Sequence, residues 1–206
     1  MGKTIFITGI STDVGKTLVS AIVTEALRAD YWKPVQAGDL DNADAHKVKG
    51  LISNTSTVIH PNSYALSHPM SPHAAAELDG VTIDLKHIKT PKVKKTLVIE
   101  GAGGLLVPLN DHLTILDLIQ PSYKVIVVSR HYLGSINHTL LTLECLKQKG
   151  ITPYIIFNGD ENQGTESIIQ KMSDVKVLGR IENEPYFDSN VVLEYADHFR
   201  NALQNL

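Results

Sequence analysis

Cysteine is the scarcest reactive residue: Cys145 stands alone among 206 residues, so no internal disulfide can form. It lies in a helix-patterned stretch, where it reads as a small core residue of a cytoplasmic chain. Charge of one sign is equally lacking. With 19 Lys and Arg against 22 Asp and Glu, the net charge of −3 leaves no electrostatic footprint for nucleic acid. No apolar run is long enough to span a bilayer, and the first residues read as a strand rather than a basic-then-apolar leader, so no membrane partner is expected. The nine histidines form no helix-spaced pair with an acidic partner, which argues against a dedicated zinc site. Repeats and low-complexity linkers are absent too. What remains, 43% hydrophobic and 20% charged, suits one α/β domain over residues 1–206.

The most informative stretch comes first. Lys3–Thr8 is a short β-branched run opening onto Gly9-Ile-Ser-Thr-Asp-Val-Gly15-Lys16-Thr17, and a helix pattern follows. Strand, glycine-bounded loop ending in Gly-Lys-Thr, then helix is the context of a phosphate-binding loop. Its backbone N–H groups and the positive helix end face phosphate, Lys16 reaches the terminal phosphates, and the Thr17 hydroxyl is placed to hold Mg2+. The usual pattern leaves four residues between its glycines, which would put the first at Ile10; here there are five.

Strand and helix alternate from there on. Leu18–Arg28 is a helix, Tyr31–Gln36 a strand that Pro34 pushes to an end or edge, and Ala45–Ile52 a helix. Pro61–Pro72 reads as a shaped loop, Ala74–Leu78 as a short helix, and Lys86–Lys95 as a solvated basic stretch. Thr96–Glu100, Lys124–Ser129, Thr152–Phe157 and Lys176–Ile181 are strands; Ser135–Lys149, Thr165–Met172 and Asn190–Leu206 are helices. In the first of these helices, Ile136, Leu140, Leu143 and Leu146 form the apolar stripe. Strands apolar on both faces imply a mainly parallel sheet covered on both sides, with ligands bound beyond the carboxyl ends of its strands.

Charged residues within and just beyond the strands carry the chemistry. A nucleotide-bound Mg2+ needs one or two carboxylates besides Thr17, and Glu100, at the end of an apolar strand before Gly101-Ala102-Gly103-Gly104, is the best candidate. A Glu that merely ends its strand in water is the alternative. Asp39, Asp41 and Asp44 follow an earlier strand; any could add a second carboxylate or belong to a solvated loop, and spacing does not choose among them. Lys33, inside an apolar strand, could neutralise transition-state charge or serve as an edge-strand lysine.

Gly-Ile-Ser-Thr-Asp-Val-Gly-Lys-Thr, Trp-Lys-Pro-Val-Gln-Ala-Gly, Ser-Pro-His-Ala-Ala, Val-Ile-Glu-Gly-Ala-Gly-Gly and Leu133-Gly-Ser-Ile-Asn-His-Thr139 occur in that order. The set resembles the dethiobiotin synthetases, whose phosphate loop also has five residues between its glycines. The resemblance implies a P-loop NTPase-like fold and an ATP- and Mg2+-dependent reaction of 7,8-diaminopelargonic acid with CO2 in biotin synthesis. It implies that Lys16 and Lys33 are catalytic, that Thr17, Asp44 and Glu100 are the Mg2+ ligands, and that Thr12, Asp13, Val14 and Gly15 cradle phosphate. Gly101, Ala102 and Gly103 border ATP, and Asn158 contacts adenine. Lys33, Ala37 and Ser71 face the diamine, and Gly134, Ser135, Ile136 and Asn137 of the second subunit of a homodimer meet its carboxylate. On the residues alone, Asn137 could equally be a helix N-cap. Two positions depart from the family: Ala37 replaces a hydroxyl residue, and Arg180-Ile181-Glu182-Asn183 replaces a proline and an aromatic in the base-binding loop.

The alternative from another class is a ParA/MinD-like ATPase switch that binds DNA or membrane. Such proteins share the loop spacing but carry an additional lysine where this chain has Ser11, and Val191–Leu206 is too acidic to anchor in a membrane. A small-molecule kinase is disfavoured by the lack of an arginine-rich lid.

Overall fold

The computed structural model describes residues 2–206. In chain order the elements are β1 (Thr4–Gly9), α1 (Lys16–Leu27), β2 (Asp30–Trp32), β3 (Val35–Ala37), α2 (Asp44–Leu51), β4 (Ile59–His60), β5 (Tyr64–Leu66) and α3 (Pro72–Leu78). They continue with β6 (Leu97–Gly104), β7 (Lys124–Arg130), α4 (Ser135–Gln148), β8 (Tyr154–Asn158), α5 (Gln163–Ser173), β9 (Lys176–Ile181) and α6 (Ser189–Gln204). Seven strands form one sheet in the order β4-β2-β6-β1-β7-β8-β9, and every pairing in it is parallel. Continuous apolar runs explain the centre: Ile5, Phe6 and Ile7 of β1 and Val125 to Val128 of β7 are wholly buried, which requires cover on both faces.

Parallel neighbours need crossovers, and right-handed ones dictate where the helices go. From β1 the chain steps to β2 on one side; from β7 it steps to β8 and β9 on the other, so α1 lies on one face and α4 and α5 on the opposite one. The final helix, α6, returns to pack on α1. The direction of winding reverses at β1, and a ligand crevice forms at the carboxyl ends of strands there.

Four expectations need correction. Tyr31–Gln36 is two strands: β2 ends at Trp32, and β3 leaves the main sheet to pair with β5 in a separate parallel ribbon. Pro34 lies at the break, without an N–H for the ladder, and its carbonyl accepts from the backbone of Ser63 and Tyr64. The supposed loop Pro61–Pro72 therefore contains strand β5. Glu100 does not end its strand, because β6 runs on through the glycines to Gly104, opposite Gly9. In α4 the buried stripe is Ser135, Thr139, Leu143 and Leu146, whereas Ile136 is exposed; the Ser129 and Thr139 hydroxyls, 2.8 Å apart, let a polar face pack on the sheet.

Candidate active site

The loop after β1 is shaped by two left-handed residues, Asp13 at φ 56° and Gly15 at φ 98°, on either side of Val14. Val14 is buried, and a Cβ on Gly9 would come within 2.5 Å of Val14 Cγ2. Neighbouring strand ends hold the loop: Asn158 Nδ2 donates to the Val14 carbonyl at 2.8 Å and Arg130 Nη1 to that of Asp13 at 3.1 Å. A methyl group on Gly15 would combine unfavourable φ with a 2.3 Å approach to Asn158 Nδ2. Gly15→Ala is therefore expected to cost about 1–3 kcal/mol of stability and to weaken binding of a non-hydrolysable ATP analogue at least roughly tenfold. Calorimetric titration checks this, and unchanged affinity would show that the loop geometry is dispensable.

Beneath the loop lies a compact group of charges. Lys16 folds back so that Nζ donates to the Ser11 carbonyl at 2.9 Å. Burial lowers its pKa to about 8, with Glu100 partly offsetting the effect; an anion in the loop would relieve that penalty. Glu100, 1% exposed, accepts from the Thr17 hydroxyl at 2.9 Å, from Lys33 Nζ at 3.3 Å and from the Tyr31 hydroxyl at 2.8 Å. Lys33 Nζ also pairs with Asp44 Oδ2. Burial works against the Lys33 ammonium, but the charges of Glu100 and Asp44 outweigh it and raise its pKa above the ordinary lysine value. For Asp44, burial pushes the carboxyl up, yet Lys33 overcompensates and holds it below the usual range. Burial, and then the Glu100 charge, push the Tyr31 phenol far up, so it stays a hydrogen-bond donor. Gln36 sets the start of α2: its amide donates to the Gly38 carbonyl and accepts from the Asp44 N–H.

A cleft of about 780 Å³ opens over this group. Among the described residues no three His, Cys, Asp or Glu side chains gather into a ready-made metal cage. A nucleotide-bound Mg2+ asks for less, one or two carboxylates and a hydroxyl beside phosphate oxygens. Thr17, Asp44 and Glu100 meet that demand: the Lys33 ammonium touching both carboxylates already stands where their charge calls for a cation.

The comparisons with known proteins bear on this geometry. A family model described as an AAA domain matches residues 3–190. The ATP-dependent dethiobiotin synthetase BioD of Christiangramia forsetii is 63% identical over 204 residues, 98% of this chain and 99% of the relative. That of Cytophaga hutchinsonii is 52% identical, over 94% of this chain and 95% of its own length. The chain belongs to the dethiobiotin synthetase family. Solved structures are more distant. A chain of the MinC:MinD cell division protein complex of Aquifex aeolicus superposes with a TM-score of 0.62 at 15% identity, over 100% of this chain and 96% of the other. A ParA family ATPase from Chlorobium tepidum gives 0.52 at 14% identity, over 96% and 98%. These likenesses establish a shared P-loop NTPase-like fold and nothing further.

Within this dethiobiotin synthetase family member, the cleft brings together most of the residues singled out from sequence. Thr12, Asp13, Gly15, Lys16 and Thr17 line it from the loop; Lys33, Ala37, Asp44 and Ser71 from the opposite wall; Glu100, Ala102 and Gly103 from β6. Val14 and Gly101 are buried behind it, and Asn158 braces the loop through Val14. Gly134, Ser135, Ile136 and Asn137 line a separate hollow with Leu133 and Asn162. Asn137 is no N-cap: that position is Gly134, with no side-chain hydrogen bond. Asp39 and Asp41 are exposed; Asp39 pairs with Lys47 at 2.9 Å. In the divergent segment, Asn183 donates to Asp160 and Arg180 lies among Glu161, Glu166 and Glu182. Sequence reasoning missed Tyr31, Gln36 and Lys47. Tyr31 had a signal: two residues before Lys33 on an extended segment, it shares the same face.

Proposed function

We propose that this protein forms dethiobiotin from 7,8-diaminopelargonic acid, CO2 and ATP, with Mg2+, releasing ADP and phosphate. The observation that carries the reading is the meeting of Lys16 and Lys33 with Thr17, Asp44 and Glu100 in one cleft under a phosphate loop. A site for three anions (triphosphate, carbamate and developing phosphate) needs that concentration of cationic charge. An ATPase switch has no evident use for a lysine, set in the break between β2 and β3 and not inside a strand, that is buried at the floor of the cleft, and position 11 is serine.

In this reading an amine of the substrate adds to CO2, forming an N–C bond and losing a proton, to give a carbamate. A carbamate oxygen then attacks the γ-phosphorus; an O–P bond forms as the bond to ADP breaks. The second amine attacks the carbonyl carbon of the resulting mixed anhydride, loses its proton and expels phosphate, which closes the ring. Lys16 holds the phosphates. Lys33 leaves its carboxylates to steady the carbamate and the phosphoryl group in flight. Thr17, Asp44 and Glu100 would hold Mg2+, which would neutralise phosphate charge when bound. Ala37 offers the diamine a methyl contact in place of a hydroxyl.

We read residues 1–206 as one domain acting in the cytoplasm as a homodimer. No helix of the described residues is long and apolar enough to cross a membrane. Gly134–Asn137, set apart from the cleft of its own chain, would reach the substrate carboxylate from a second copy, where the N–H groups opening α4 suit an anion. Leu133, 104% exposed, and Ile136 beside it favour cover by that copy.

Phosphate release with ATP, Mg2+, bicarbonate and the diamine, compared with the same mixture lacking the diamine, is the test. Release is expected to depend on the diamine and to match dethiobiotin formed; equal release in both mixtures would favour the ATPase switch.

A further inference from the structure

The two oxygens of Glu100 are held differently. Oε1 accepts from Thr17 Oγ1 and Lys33 Nζ, two groups that line the cleft. Oε2 accepts from the Tyr31 hydroxyl at 2.8 Å, and Tyr31 is fully buried on β2, beside β6 in the sheet. The carboxylate is thus tied down at one oxygen and offers the other to the site. Taking Oε2 away from the phenol would leave the buried Tyr31 hydroxyl without its acceptor.

We propose that Tyr31 is a positioning residue that makes Glu100 a one-oxygen ligand for the nucleotide's divalent cation and so favours Mg2+ over Ca2+. This rests on the assignment of Glu100 as a metal ligand above. Mg2+ requires a near-octahedral shell at short distance and binds through one or two carboxylates, whereas Ca2+ takes more oxygens and readily uses both of a carboxylate. A phenol on Oε2 withholds the second oxygen from the larger ion. Partners that orient a metal ligand typically alter metal affinity by about 10–100-fold when removed.

The experiment uses Tyr31→Phe, which deletes a single oxygen from a packed site. Calorimetry with Mg2+ and with Ca2+, each with a non-hydrolysable ATP analogue, reads the ratio of the two affinities. Mg2+ affinity is expected to fall about tenfold or more while Ca2+ affinity holds or rises, so the Mg2+ to Ca2+ ratio falls at least about tenfold. Ser129→Ala is the control: it removes the buried hydroxyl bond to Thr139 and touches no part of Glu100. A wild-type ratio in Tyr31→Phe, or an equal shift in Ser129→Ala, would overturn the inference while leaving Glu100 a ligand. Nucleotide binding by the wild type that is indifferent to any divalent cation would overturn both. Should the Phe variant not fold, 3-fluorotyrosine at position 31 of the otherwise unchanged protein serves instead. Its fluorine resonance is expected to move when Mg2+ and the analogue bind, and a resonance that ignores them would overturn the inference.

Discussion

Replacing Lys33 with alanine is expected to lower turnover by at least about a hundredfold, the usual effect of losing one group aimed at transition-state charge. Lys33 is 5% exposed, and its ammonium bridges Asp44 and Glu100 at the floor of the cleft. The same position carries a second consequence for the ligand-free protein. Removing one member of a buried ionic group leaves the others uncompensated, at about 3–5 kcal/mol. Lys33→Ala should therefore melt well below the wild type in a chelator, and Mg2+ should recover much of the loss by supplying charge where the ammonium was. Single-turnover phosphate release at saturating substrates, with melting curves in chelator and in Mg2+, separates the two effects. A wild-type rate would remove Lys33 from the chemistry. A lowered rate with Mg2+-insensitive melting would keep Lys33 in the chemistry but place Asp44 and Glu100 outside any metal site.

Much of this centre was legible because charged residues in apolar surroundings must be there for a reason. Lys16, Lys33 and Glu100 interrupt or border strand-like runs, and burying them singly would be prohibitive. In the structure Lys33 is compensated by Glu100 and Asp44, while the Lys16 ammonium rests on the Ser11 carbonyl. Tyr31 carries no charge to raise such an alarm, since an aromatic in a strand is ordinary core; its place on the same face as Lys33 is the hint in the sequence, and the contact of its hydroxyl with Glu100 gives the role. The β3–β5 ribbon was invisible for a different reason: two three-residue strands are too short for an alternating pattern, and prolines flank them. The strand was expected to stop at Glu100 because Gly-Ala-Gly-Gly carries no strand-forming side chains; here the glycines keep β6 extended while letting the backbone pass close to the loop after β1. In α4 apolar residues occur on more than one side, so periodicity alone could not select the packed stripe. The hydroxyl pair Ser129 and Thr139 decides it. Choosing Asp44 over Asp39 and Asp41 needed the family resemblance, and the structure offers an independent reason: Asp44 pairs with Lys33, while the other two are exposed.

Glu100→Gln is expected to raise the Mg2+ concentration needed for half-maximal activity by about 10–100-fold, with turnover only partly restored at high metal. The size of the effect follows from what an amide can and cannot replace. Glutamine keeps the shape of the side chain, so β6 and its neighbours need not move. It provides one acceptor where the carboxylate has two. If the amide oxygen stays with Tyr31, the N–H2 group faces the Lys33 ammonium and Thr17, where no acceptor charge remains for a cation. If it turns over, the oxygen meets Lys33 and Thr17 and the N–H2 group must donate to the Tyr31 oxygen; the buried group stays satisfied, but its negative charge is gone. Either way Lys33 is left with Asp44 as its one ionic partner at the cleft floor. Melting in a chelator should then change much less than for Lys33→Ala, because removing a negative charge from this group leaves a matched ammonium–carboxylate pair. Activity followed over a Mg2+ titration at fixed ATP reads the metal effect directly. A curve that superimposes on the wild type would mean that Glu100 serves only to hold Lys33 and Tyr31 in place, and the cation would have to be sought at Asp44 and Thr17 alone.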